Sequence, residues 1–191
     1  LSNLALFGAK LKNDNPVKSI IRARSVVLNK SQVRISNQNK PQRKPLTFDS
    51  LQISLNDFSL TGDSLALEID NMSFIESMHQ LKVLQLNTTL SYSPTQMTLK
   101  NLDFVTPNSN FVADIAFNYP TMGMRDFAKL VQIQSNFKPS SIAVEDLKYF
   151  LPDLGVGALK LETGYLSGTL EDLLFENIKL SFENTSFLFH H

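Results

Sequence analysis

The chain contains no cysteine and no tryptophan. Without cysteine there is no disulfide framework, no thiolate metal site and no cysteine nucleophile. No apolar run reaches the roughly 20 residues that a membrane-spanning helix needs. Histidine is nearly absent: His79 stands alone outside the terminal pair His190-His191. A Ser-His-Asp site would have to use His79, which falls in a polar connection. The nucleophile-elbow pattern is missing, because Gly164-Tyr165-Leu166-Ser167-Gly168 carries its serine one place late. No phosphate loop and no GxGxxG occur. The adjacent acids Glu145-Asp146 and Glu171-Asp172 cannot easily share a substrate, since strand neighbours face opposite sides. Asn-x-Ser/Thr triplets begin at Asn71, Asn87 and Asn184, among others; a chain this rich in Asn, Ser and Thr yields them by chance. These absences point away from an enzyme and leave no expected cofactor or metal.

What is present is alternation. Leu51–Phe74, LQISLNDFSLTGDSLALEIDNMSF, reads as a β-hairpin. Ile53, Leu55, Phe58 and Leu60 precede Thr61-Gly62-Asp63-Ser64, a turn in which Gly62 can take φ > 0 without steric cost. Leu65, Leu67, Ile69, Met72 and Phe74 follow. Gln52, Ser54, Ser59, Glu68 and Ser73 take the opposite parity, so one face is apolar and the other polar.

Each arm carries the same irregularity. The apolar alternation skips two polar residues, Asn56-Asp57 in one arm and Asp70-Asn71 in the other, and then resumes. In a regular strand an extra residue throws every later side chain onto the wrong face. A backbone bulge or corner at the skip restores the parity. Asn and Asp suit such sites because they tolerate the left-handed region and bond nearby backbone. The device recurs at Lys100-Asn101, between Leu99 and Leu102, and at Glu176-Asn177, between Phe175 and Ile178. Looser copies are Leu170-Glu171-Asp172-Leu173 and Phe182-Glu183-Asn184-Thr185.

Net charge is zero but uneven: ten Lys/Arg and one acid lie up to Pro45, eight Lys/Arg and seventeen acids after it. In the basic part, 1–45, the first reading is a solvated strand face and the second a contact with anionic lipid headgroups. Phe7 is its only aromatic residue, so base stacking lacks its platform and nucleic acid is not expected as a partner.

In order, the pattern predicts a strand at Leu1–Leu11, a turn at Asn13–Pro16, a strand at Val17–Ile35 and a loop at Asn37–Pro45. After the central hairpin come a connection at Phe74–Gln80 and a second hairpin, Leu81–Tyr92 and Gln96–Val105 about Ser93-Pro94-Thr95. A turn at Pro107–Asn110 leads to Phe111–Tyr119, the cleanest alternation in the chain. Short helices are expected within Pro120–Leu130, where Met124, Phe127, Ala128 and Val131 fall at helical spacing, and at Glu145–Leu151, stopped by Pro152. Strands return at Val131–Phe137 and Leu159–Phe189. The fold class is therefore all-β with minor α, antiparallel, with no βαβ rhythm. A second sheet, a barrel or a U-shaped trough could cover the apolar face; corners favour curling. The chain reads as one internal segment, 46–189 being repeated hairpins and 190–191 tag residues.

The strings ISLNDFSLTGDSLALEIDNMSF, LSYSPTQMTLKNLDFVTPNSNFVADIAFNY and FKPSSIAVEDLKYFLPDL, the last with Tyr149–Pro152, resemble TamB-like (AsmA-superfamily) proteins of Gram-negative bacteria, most closely those of the Bacteroidetes. The resemblance implies a long antiparallel sheet folded like a taco (a β-taco). It also implies a periplasmic segment of a protein anchored in the inner membrane through a part not present here. Its partners would be phospholipid acyl chains, a TamA-like outer-membrane β-barrel and client outer-membrane proteins. On that basis Ile53, Leu55, Phe58, Leu60, Leu65, Leu67, Ile69, Met72, Phe74, Leu99, Leu102, Phe104, Ile115 and Phe117 are expected to line a lipid groove. Asn56, Asp57, Asp70, Asn71, Lys100, Asn101, Glu176 and Asn177 are expected to be its structural corners. The alternative expectation is a strand-pairing scaffold for outer-membrane proteins.

Overall fold

The computed structural model of the chain describes residues 20–36, 45–78, 80–120, 126–147, 157–182 and 185–188. The strand expected at Leu1–Leu11, the turn at Asn13–Pro16, most of the loop after Asn37, His79, Met124, the Tyr149–Pro152 string and the terminal histidines lie outside them. The described strands are β1 (Ile20–Ile35), β2 (Leu46–Thr61), β3 (Ser64–Glu76), β4 (Leu81–Tyr92), β5 (Gln96–Val105), β6 (Asn110–Asn118), β7 (Gln132–Phe137), β8 (Ser140–Ala143), β9 (Ala158–Thr169), β10 (Asp172–Phe182) and β11 (Thr185–Leu188). Two single-turn helices accompany them, α1 (Phe127–Leu130) and α2 (Val144–Leu147).

All eleven strands belong to one antiparallel sheet. Its order follows the chain from β1 to β7 and continues through β9, β10 and β11. In the hairpins β2–β3, β4–β5 and β9–β10 short turns leave no length for a crossover, so sequential neighbours pair. β7 and β8 share the lane between β6 and β9. Pro139 breaks that lane, having no N–H to give. The Ser140 hydroxyl mends it, accepting the Val112 N–H at 2.9 Å and donating to the Lys138 carbonyl at 2.8 Å. Among the described residues no second sheet faces this one, and β1 does not pair with β11. The described residues thus form an open single sheet, neither sandwich nor closed barrel.

The corners are real backbone features. Asp57, Asn101 and Asn177 have φ of 48°, 52° and 49°. Each sits where its strand spends one residue more than its neighbour: Leu99 to Leu102 of β5 spans only Ile115 to Ala113 of β6. The same excess occurs at Asn56–Ser59 and at Glu176–Lys179. At Asp70-Asn71 the register shifts without a positive φ. Two further corners escaped the sequence reading, Lys30 (φ 46°) and Ser50 (φ 54°), in the polar skips Asn29-Lys30 and Asp49-Ser50. The looser copies are corrected. Residues 170–171 form the β9–β10 turn, and Phe182 pairs with Thr185 across the β10–β11 connection, so both are chain reversals rather than corners.

The described residues carry both expected helices in part, at Phe127–Leu130 and Val144–Leu147. Val131 leaves α1 for extended backbone (φ −89°, ψ 114°) and is fully buried there. It joins Tyr119 and Ile133 in a small core packed against Met97, Phe117 and Leu166. Phe127 of α1 leans on Phe117, ring centroids 5.9 Å apart. In α2 the Asp146 carboxylate accepts the hydroxyls of Thr106 and Ser109, each at 2.5 Å, and so pins the β5–β6 turn.

Two substitutions test the backbone reading. Asn101→Val puts a β-branched residue in the left-handed region and should cost about 1–2 kcal/mol by urea denaturation, whereas Asn101→Gly should cost less. A Cβ on Gly164 would lie 2.2 Å from Ile178 Cγ1 and 2.9 Å from Ile178 Cα, and Ile178 is 1 % exposed. Gly164→Ala should therefore lower stability by about 1–3 kcal/mol, read as a fall in the denaturation midpoint.

Candidate functional site

Cross-strand register places the apolar residues in continuous rows, because directly paired residues share a face. One row runs Ile21, Leu60, Leu65, Tyr92, Met97, Phe117, Ile133 from β1 to β7. A second runs Leu67, Leu90, Leu99, Ile115, Ser135, Leu166, Phe175 from β3 to β10. A third, beyond the corners, runs Leu28, Ile53, Met72, Leu86, Phe104, Phe111 from β1 to β6. Phe74 pairs with Val83 and meets Phe48 edge-on at 5.1 Å.

All fourteen residues expected in the groove lie on this face. Ile53, Leu55, Phe58, Leu60, Leu65, Leu67, Met72, Phe74, Leu99, Phe104, Ile115 and Phe117 are half-buried. Ile69 and Leu102 are buried, at 8 % and 6 % exposure. Both sit beside a corner, Ile69 next to Asp70 and Leu102 next to Asn101. Leu86, Leu90, Met97, Phe111, Ile133, Leu166, Leu173 and Phe175 belong to the same face and were not among the residues expected in the groove. The opposite face is polar: Ser59, Ala66, Ser91, Thr98, Ala116, Gln134 and Ser167 form its matching row.

The corners align. Asn56 Nδ2 donates to Asp70 Oδ2 at 2.6 Å, joining the two corners of the central hairpin. With its amide turned to satisfy both ends, Asn87 donates to the Asp70 carbonyl at 2.7 Å. The Asn101 N–H donates to Asp114 Oδ1 at 2.6 Å. Asp114 pairs with Asn136, Asn136 with Tyr165 and Tyr165 with Glu176, next to Asn177. A polar line thus crosses the sheet from β2 to β10. On the apolar side Thr88, 4 % exposed, donates to the Lys100 carbonyl at 2.9 Å, satisfying a group the corner would otherwise strand.

Among the described residues no group of three His, Asp or Glu side chains is placed to hold a metal. No described helix is long and apolar enough to cross a membrane. Three surface hollows open on the polar face, one of them among Thr98, Lys100, Asp114, Gln134 and Tyr165. Among the described residues the chemistry on offer is shape and apolarity.

The class defined by this geometry is an all-β protein made of one open antiparallel sheet, apolar on one face and polar on the other, with two short helices. Set against known protein families, curated proteins and solved structures, the chain matches none of them.

One titrating group ties three elements together. Hydrogen bonds from Ser77 and then from Gln32 (2.6 Å) hold the half-buried Asp49 carboxyl below its ordinary value of 3.8. A depressed folded-state pKa stabilises above the ordinary value, and the contribution fades as pH falls through the folded one. Asp49→Asn should thus be less stable than the parent at neutral pH, and urea midpoints of the two should converge as pH falls below 3.8, the ordinary carboxyl value.

Proposed function

We propose that the chain is a non-enzymatic segment of a periplasmic, inner-membrane-anchored TamB-like protein. Its sheet, creased along the polar line into a U-shaped trough, carries phospholipid acyl chains between inner and outer membranes in support of outer-membrane assembly. The observation that carries this reading is the one-sided apolar face. Its rows extend over many strands, its residues are half-buried rather than locked in a filled core, and no described layer lies on it. A soluble monomer rarely leaves so large an apolar patch without an occupant. Each methylene of an acyl chain laid there contributes roughly 0.8 kcal/mol. With no polar group to hold them, the chains can slide along the rows, while headgroups stay in water at the rims.

A second reading rests on a separate observation. Among the described residues β1 pairs only with β2, so a sixteen-residue strand offers its outer ladder to another strand. On that reading the segment is a scaffold that pairs with outer-membrane protein strands and with a TamA-like barrel.

The groove reading makes a direct demand. Protein purified from a Gram-negative host should retain phospholipid by native mass spectrometry, and a photo-crosslinker at Leu67 should capture it. Leu67→Arg should reduce the retained phospholipid at least tenfold with little change in thermal stability, since Leu67 is only half-buried. Protein free of lipid, with no capture at Leu67, would rule the trough out; capture of polypeptide alone would favour the scaffold.

A further inference from the structure

The composition of β1 selects what its outer edge, unpaired among the described residues, can accept. It carries Arg22, Arg24, Lys30 and Arg34 and no acid. All four cations are exposed, and among the described residues none has an ion-pair partner. The apolar rows run out to this strand without a stop: Ile21, Val26, Leu28 and Val33 continue Leu60, Leu55, Ile53 and Phe48. Leu28 is 39 % exposed, against half-burial for its partner Ile53. A strand added here would therefore place apolar side chains against Leu28 and its row mates on one face, and meet cations on the other.

A second copy of this strand is a poor guest. In every antiparallel or parallel register, β1 against β1 sets cations only against cations or neutral residues, and like charges opposite one another destabilise a pair. An acid-bearing strand meets the opposite condition. We propose that the β1 edge is a docking site for an extended polypeptide of alternating apolar and acidic residues, which adds as a further strand and prolongs the apolar rows, and that the basic edge at the same time prevents self-association. This rests on the edge-pairing reading above and is independent of whether the face carries lipid.

The test uses three fluorescein-labelled ten-residue peptides, (Val-Glu)5, (Val-Lys)5 and (Val-Gln)5, titrated against the whole chain by fluorescence anisotropy. (Val-Glu)5 should bind on the order of tenfold more tightly than (Val-Gln)5, and (Val-Lys)5 more weakly than either, with the spread shrinking at high salt. Arg22→Glu with Arg24→Glu and Arg34→Glu, all exposed and distant from the core, should invert the order. Backbone pairing should appear as amide protection confined to β1 in hydrogen exchange with (Val-Glu)5 present. Equal binding of all three peptides, with β1 protected, would leave edge pairing standing and overturn charge selection. No binding of any peptide would overturn both, leaving the cations as guards against aggregation only.

Discussion

The structure depends on reconciling period two with a bent strand. A strand that keeps one face apolar must keep strict alternation, and a strand that bends must insert a residue. The two demands conflict unless the inserted residue drops out of the alternation. A residue in the left-handed region does this, because it turns the backbone by one step without taking a place on either face. Asp57, Asn101 and Asn177 take that conformation, and Leu99 and Leu102 stay on one side although three residues apart. The groups a bulge leaves unpaired find partners next door: the Asn101 N–H meets Asp114, and the Lys100 carbonyl meets Thr88.

The line of corners converts a local device into a property of the sheet. A single bulge bends one strand; corners linked from β2 to β10 bend many strands at one level. The polar line and the apolar rows are then two sides of one arrangement. The corner side chains Asn56 and Asp70 bond each other, and on the apolar face beside the corners Ile69 and Leu102 are buried. Away from the bend the same face stays half-buried, a condition that water penalises by roughly 25 cal/mol per Å² of apolar surface. That unmet burial is what a hydrophobic guest would satisfy, and it is the physical link between the sheet and the function proposed for it.

Much of this was legible in the chain because parity is a local property. The hairpins at Leu51–Phe74 and Leu81–Val105 and four two-residue skips could be read from neighbours alone. Lys30 and Ser50 were missed because their skips, Asn29-Lys30 and Asp49-Ser50, put residues that rarely favour φ > 0 at the turn itself. The stretch Leu170–Leu173 was misread because a chain reversal and a corner both place polar residues between apolar ones. The alignment of the corners, and the joining of alternations into rows, depend on which residue faces which across the ladder. That register is set by turn lengths and by every earlier bulge in the sheet, so no single stretch encodes it. The break at Pro139, mended by Ser140, was likewise hidden, because the repair comes from Val112 on another strand.

The most direct test is an accessibility scan along β5. Nitroxide labels placed singly from Gln96 to Phe104, with phospholipid present, would be relaxed by dissolved oxygen where they face an apolar phase and by a polar nickel complex where they face water. Oxygen should dominate at Met97, Leu99, Leu102 and Phe104, and the nickel complex at Thr98, at both Lys100 and Asn101, and at Asp103. An unbroken period of two through Lys100-Asn101, or equal exposure to both relaxants at Leu99 and Phe104, would contradict a creased sheet with one apolar face open to lipid.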